Sequence, residues 1–381
     1  MPRVTPSAES MPRSGIRKIM DLAWSLDEPV IGLHVGEPSF DAPPHVIDAA
    51  RRAYADGHTH YVPNAGVDGL RAAIAAKITD LNGYATTPDQ VTVSAGGAQA
   101  LHLALSLTVG AGDDVLVPDP GWPNFAMSVG LLQANPVLYP LRPQQSFRPD
   151  IDELDELVTD KTRVLIVNSP SNPLGSVLDA ATVESLVRFA ERHDLWVLSD
   201  ECYDALTFEA EHISPGRFDT DGRVLTAYSF SKTFAMTGVR VGYLRTPVEV
   251  AANAAKLQEP MLACVNAPAQ HAALAALQGS QEPVEEMRSA YVQRRGVAID
   301  ALDTQGMGYL RPEGAFYSWI DVRDRDGGDT EQWALSLLRD KSVAVAPGTV
   351  FGPSGAGWAR ISLASDTDSL IEGIRRIGDH R

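Results

Sequence analysis

One lysine, Lys232, ends an apolar run and follows two serines in the stretch AYSFSKTFAMTGVR, residues 227–240. An amine so placed can carry an aldehyde as a Schiff base if its surroundings keep it unprotonated. Eight residues later Arg240, behind Gly238, offers a planar cation for an anionic group. Upstream, Asp200 and Tyr203 stand in SDECY. The carboxylate can sit under a protonated ring nitrogen, and Tyr203 with Asn172 can hydrogen-bond a ring oxygen. Gly96-Gly97 lies between an apolar run and a helix pattern, where free backbone N–H groups and the helix dipole suit a phosphate. Trp122, in PGWPNF, can stack on a planar ring. Each residue alone has a plainer use: a solvated loop lysine, a helix-capping aspartate, a tight turn, a filler tryptophan.

These residues fall where apolar runs stop. VTVS leads into Gly96-Gly97, DDVLVPD into Trp122, RVLIVN into Asn172, LWVLSD into Asp200 and RVLTAYS into Lys232, with VRVGYLR as a sixth strand. Helix patterns separate most of them, such as the one over Ala180–Arg192. Strands alternating with helices predict an α/β architecture with a mainly parallel sheet, and ligands of such sheets bind beyond the carboxyl ends of the strands. Residues 1–30 read as an arm with Pro2, Pro6 and Pro12 and a short helix over Ser14–Leu26. A strand then ends at Gly36, and Pro43-Pro44 opens the next helix. After about residue 251 the pattern turns helical, and shorter strands and helices close the chain as a small α+β unit that packs with the arm.

With 381 residues, 44% apolar and 21% charged, the chain is long enough for a large domain with a smaller appendage. The net charge of −17 argues against nucleic acid or an anionic membrane surface as partner. An anionic ligand must then be held by local cations or helix N-termini. Two cysteines make no disulfide framework, no His/Cys cluster has metal-site spacing, and no run is long enough to span a bilayer, so the expected location is cytoplasmic and the expected metal content none. Cys202 reads as a buried neighbour of Asp200 rather than a nucleophile.

Four motifs occur in order: NSPSNP from Asn168, SDECY from Ser199, SFSK from Ser229 and Gly238-Val239-Arg240. With LHVGEP from Leu33, Tyr61 in HYVPNAG, PEGAFY from Pro312, APGTVFG from Ala346 and WARIS from Trp358, they resemble the fold-type I, pyridoxal-phosphate-dependent class I/II aminotransferases over nearly the whole chain. The resemblance implies a seven-stranded, mainly parallel sheet flanked by helices, with a small α+β domain built from both termini. It divides the chain into 1–45 (arm and part of the small domain), 46–280 (large, cofactor-binding) and 281–381 (small). It implies that Lys232 binds pyridoxal 5′-phosphate as a Schiff base and later shuttles a proton. Gly97, Ala98, Ser229 and Arg240 would hold the phosphate, joined by Tyr61 from the other subunit of a homodimer. Asp200 would pair with the ring nitrogen, Asn172 and Tyr203 with the ring oxygen, and Trp122 with the ring face. Arg360, Asn172 and the backbone N–H of Gly36 would grip the substrate carboxylate.

The implied reaction moves an amino group between an L-amino acid and a 2-oxo acid in two half-reactions. A carbon–sulfur β-lyase on the same fold is the alternative. A regulator's effector domain and a nucleotide-dependent enzyme are weaker readings, since no DNA-binding pattern precedes residue 31 and no phosphate-loop fingerprint is present. Trp122, Val239 and Ala98 depart from residues common in the family. For the substrate side chain, Ile16, Phe40 and Trp122 suggest an apolar pocket, whereas Arg13 and Arg17 suggest a second carboxylate.

Overall fold

The run VLIV at 164–167 is buried at every residue, on both faces, as a strand covered by helices on each side must be. The computed structural model describes residues 3–9, 11–12 and 15–380; Pro2, Arg13 and Ser14 lie outside them. The large sheet comprises β1 (Val91–Ser94), β2 (Asp114–Asp119), β3 (Asn135–Pro140), β4 (Thr162–Asn168), β5 (Trp196–Asp200), β6 (Val224–Ser229) and β7 (Gly242–Arg245). Their spatial order is β1-β7-β6-β5-β4-β2-β3. All pairs are parallel except the two made by β7, which runs against both β6 and β1.

The pattern of apolar runs locates six of these strands; the seventh, β3, is NPVLYP. It carries two prolines and much exposed surface, so it lacks the signature of a buried strand. It is tolerated because it lies at the sheet edge, where a missing N–H breaks no ladder on the open side.

Alternate side chains of the central strands serve opposite layers. Leu116, Leu165, Val167 and Val197 pack with Leu186 and Phe189 of the helix Ala180–Arg192. Val115, Val164, Ile166 and Leu198 pack with Leu101 and Leu105 of the helix Gly97–Thr108. A separate core joins the termini, as the sequence predicts: Ile19 and Leu33 are buried with Tyr291, Phe316, Trp333 and Ile374. This part holds β8 (Tyr309–Leu310), β9 (Tyr317–Asp321), β10 (Ala346–Pro347) and β11 (Trp358–Ser362), an antiparallel sheet of order β10-β11-β9-β8. The strand expected to end at Gly36 is shorter, Ile31–Gly32, pairing in parallel with Val343–Ala344. The residues beyond it turn toward the cavity below, where the Gly36 carbonyl is used by a side chain instead of a neighbouring strand.

Among the described residues no helix is long and apolar enough to cross a membrane.

Candidate active site

Register brings the chemistry to one edge. Asn168, Asp200 and Ala227 are aligned across β4, β5 and β6, and Ser229 faces Gly242 across β6 and β7. Beyond that edge lies a cavity of about 340 Å³, whose lining includes Gly36, Gly97, Ala98, Trp122, Asn172, Asp200, Tyr203, Ser229, Lys232, Arg240 and Arg360. Eleven of the twelve residues expected at a site are therefore together. Tyr61 is not: it is 90% exposed within the chain and borders a separate groove with His58, His60 and Cys264.

One end of the cavity is built for an anion. Gly96 precedes the helix Gly97–Thr108 with φ +82°, in a region that L side chains avoid, and no side chain caps the helix start. A Cβ on Gly96 would stand 2.4 Å from Arg240 Nη2. That guanidinium is held over the turn by donating to the carbonyls of Ala95 (3.2 Å) and Thr237 (2.8 Å). Ser229 Oγ caps the short helix Phe230–Thr233 by accepting from the Ser231 N–H at 3.1 Å. The same helix carries Lys232.

Lys232 Nζ donates to the Gly36 carbonyl at 2.7 Å. Burial is the main cause that lowers its pKa, opposed by the nearby Cys202 and Glu37. Asp200, 5% exposed, accepts from the Cys202 N–H at 3.2 Å. Burial pushes its carboxyl up to about 7. A buried carboxyl with so little support calls for a cation, and a protonated ring nitrogen is one. The Cys202 thiol is pushed up to about 12 by burial and by Asp200 beside it, which suits the neighbour expected and not a nucleophile.

Arg360, on β11, is 2% exposed. It donates to Asn172 Oδ1 (2.8 Å) and to the His34 carbonyl (2.5 Å), and its Nε is buried without a partner. Its guanidinium lies 4.3 Å from the Tyr317 ring centroid. Tyr317 also meets Tyr203, hydroxyl to hydroxyl at 2.8 Å. Tyr317 and the His34 carbonyl are not distinguished by the sequence pattern. Both lie inside the motifs PEGAFY and LHVGEP, but the pairings that give them a role span more than one hundred residues.

Ile16 and Trp122 line the cavity as expected for an apolar pocket, along with Met20 and Val35. Phe40 does not; it borders another groove and packs edge-on against Tyr291, 5.7 Å between centroids. Arg17 is absent from the lining too: it pairs with Asp21 at 3.3 Å and lies over Trp24 at 5.1 Å.

A cavity with a glycine turn and guanidinium at one end, a buried carboxyl on its floor, a buried amine and a second guanidinium fits an anionic, planar, cationic-ring cofactor. Comparison with known proteins agrees on the class. The family profile described as Aminotransferase class I and II matches residues 28–377. An aspartate aminotransferase of Pyrococcus horikoshii is 36% identical over 96% of this chain and 94% of its own. An aromatic-amino-acid aminotransferase of Thermococcus litoralis is 37% identical over the same shares. The solved aspartate aminotransferase of Thermus thermophilus with maleate superposes with a TM-score of 0.95 at 36% identity, over 100% of both chains. These relatives favour amino transfer over the carbon–sulfur lyase reading. The chain belongs to the class I and II aminotransferases and is an enzyme of that family.

Proposed function

We propose that the protein is a pyridoxal-5′-phosphate-dependent aminotransferase, moving an amino group between an L-amino acid and a 2-oxo acid by a ping-pong mechanism centred on Lys232. The observation that carries the reading is a buried amine with lowered pKa, set in one cavity with Asp200, Arg240 and Arg360. Pyridoxal 5′-phosphate, when bound, supplies a carbon that accepts the amino group and a ring that draws electrons from the substrate Cα.

The residues divide the remaining work. The N–H groups of Gly97 and Ala98, with Ser229 and Arg240, hold the phosphate. Asp200 keeps a proton on the ring nitrogen, and its own ionised form is what that cation stabilises. Asn172 and Tyr203 hydrogen-bond the ring oxygen, and Trp122 covers the ring face. Arg360 grips the substrate carboxylate with Asn172 and the Gly36 N–H, presenting two parallel donors to two oxygens. Lys232 Nζ would hold the cofactor through its carbonyl carbon, and the same amine, when free, would carry the proton taken from the substrate Cα. Burial shifts this amine toward its neutral form, the direction a proton acceptor needs.

We further propose a homodimer in which Tyr61 reaches the phosphate site of the partner. Support comes from its exposure in a groove that it shares with Tyr54, another uncovered aromatic side chain. The division 1–45, 46–280 and 281–381 remains our proposal for the domains.

The test is a purified sample with pyridoxal 5′-phosphate. A visible absorption band should form, shift on adding an amino donor, and be absent together with turnover in Lys232→Ala. A wild type that takes up no cofactor overturns the reading.

A further inference from the structure

Next to Asp200 in the chain is a carboxylate with no place in the scheme above. Glu201 is fully buried, 0% exposed, and points away from the cavity. Its Oε1 accepts from Ser199 Oγ (3.0 Å) and Ser214 Oγ (2.6 Å), and its Oε2 lies 2.8 Å from His212 Nε2. Its backbone N–H continues the sheet by donating to the Ala227 carbonyl at 2.9 Å. A buried carboxylate left without donors would cost much in free energy, so these contacts are needed wherever Glu201 remains inside.

The partners show what the contacts join. Residues 201–214 leave β5 at the cavity floor and contain no helix. Their middle is fastened to the turn before β9: the Phe208 N–H donates to the Glu313 carbonyl (2.9 Å), and the Leu206 carbonyl accepts from the Ala315 N–H (2.7 Å). Glu209 is held by Arg295 at 3.1 Å. The segment then returns, and His212 and Ser214 close on Glu201, where it began. Between those ends sits Tyr203, whose hydroxyl meets Tyr317 on β9.

We propose that Glu201 is a positioning residue. Its buried carboxylate clamps the two ends of the 201–214 segment together, fixing Asp200 and Tyr203 against the 312–316 turn that leads into Tyr317. The clamp lies behind the cavity, and Glu201, His212 and Ser214 are not part of its lining. Segments without regular structure open locally at low cost unless tied, and a floor that must present a carboxyl and a hydroxyl in one geometry needs such a tie. The charge of Glu201 also bears on Asp200, adding to the burial that disfavours its ionised form. The proposal rests on the reading of Asp200 and Tyr203 as groups that face the cofactor.

Three variants test it: His212→Ala, His212→Gln and the milder Ser214→Ala. In the apoprotein, amide hydrogen exchange is measured over 201–214. Loss of a donor to the carboxylate should speed exchange at Asp204, Leu206 and Phe208 by about tenfold or more, with the large sheet unchanged. In the loaded enzyme, kcat should fall by about tenfold while KM for the amino donor stays within about threefold, because the Arg360–Asn172 grip lies off the segment. His212→Gln, which keeps a donor for Oε2, should recover most of both. Folded His212→Ala and Ser214→Ala proteins with wild-type exchange and wild-type kcat overturn the proposal. So does exchange that rises uniformly across the sheet, which would mark a general loss of stability. If the wild type takes up no pyridoxal phosphate, the functional reading fails, while the exchange measurement still decides the clamp.

Discussion

Asp200→Asn should make the apoprotein more stable and the enzyme worse, and the pH dependence of the first effect can be worked out. Burial raises the folded-state pKa of Asp200 from 3.8 to about 7. Below pH 3.8 the carboxyl is protonated in both folded and unfolded chains and contributes nothing adverse. As pH rises above that value the unfolded chain ionises first, so the favourable contribution of the protonated folded form is progressively lost. Above about 7 the folded carboxyl ionises as well and the loss is complete. The interval corresponds to about 4 kcal/mol, at roughly 1.4 kcal/mol per pH unit. Asparagine is neutral throughout, keeps the size, and keeps an oxygen for the Cys202 N–H.

The stability advantage of Asp200→Asn over wild type should therefore widen by about 2–3 kcal/mol between pH 5 and pH 8. Urea unfolding of both apoproteins at the two pH values measures it, and other titrating groups cancel in the difference. At pH 8 the same variant should bind pyridoxal phosphate more weakly and turn over more slowly, a trade of stability for function. An advantage of equal size at both pH values would refute the idea that Asp200 is held ionised against its surroundings.

Arg360→Lys should keep the visible band but lower kcat/KM for the amino donor about a hundredfold, since an ammonium cannot offer two parallel donors while holding Asn172 and the His34 carbonyl; a loss under threefold would exclude it from the carboxylate grip. Gly96→Ala should cost about 1–3 kcal/mol of stability from its positive φ and weaken cofactor affinity by displacing Arg240, measured by denaturation and by cofactor titration. Tyr61→Phe should weaken cofactor affinity about tenfold in a dimeric protein; a monomer in sedimentation that binds cofactor fully would count against the shared site.

The chain order of Asn172, Asp200, Ser229 and Lys232 was legible because each ends a buried, apolar run or follows one within four residues. Parallel strands joined by helices must deliver their carboxyl ends to one edge, so local pattern was enough to gather those side chains. The Gly96–Gly97 turn was legible for the same reason: a strand that feeds a helix start exposes N–H groups wherever the sequence breaks there. Tertiary structure alone decided the rest. That β7 runs antiparallel and that NPVLYP forms an edge strand depend on which strand lies alongside, and no spacing encodes that. Arg360 against Asn172, Tyr317 against Tyr203, and Phe40 and Arg17 turned away from the cavity are outcomes of packing between distant segments. Glu201 makes the point most sharply. Beside Asp200 it reads as one more acidic residue at a strand end, yet side chains alternate across a strand, so one carboxyl enters the cavity and the next enters the core. Only the return of the chain at His212 and Ser214 gives the buried one its partners.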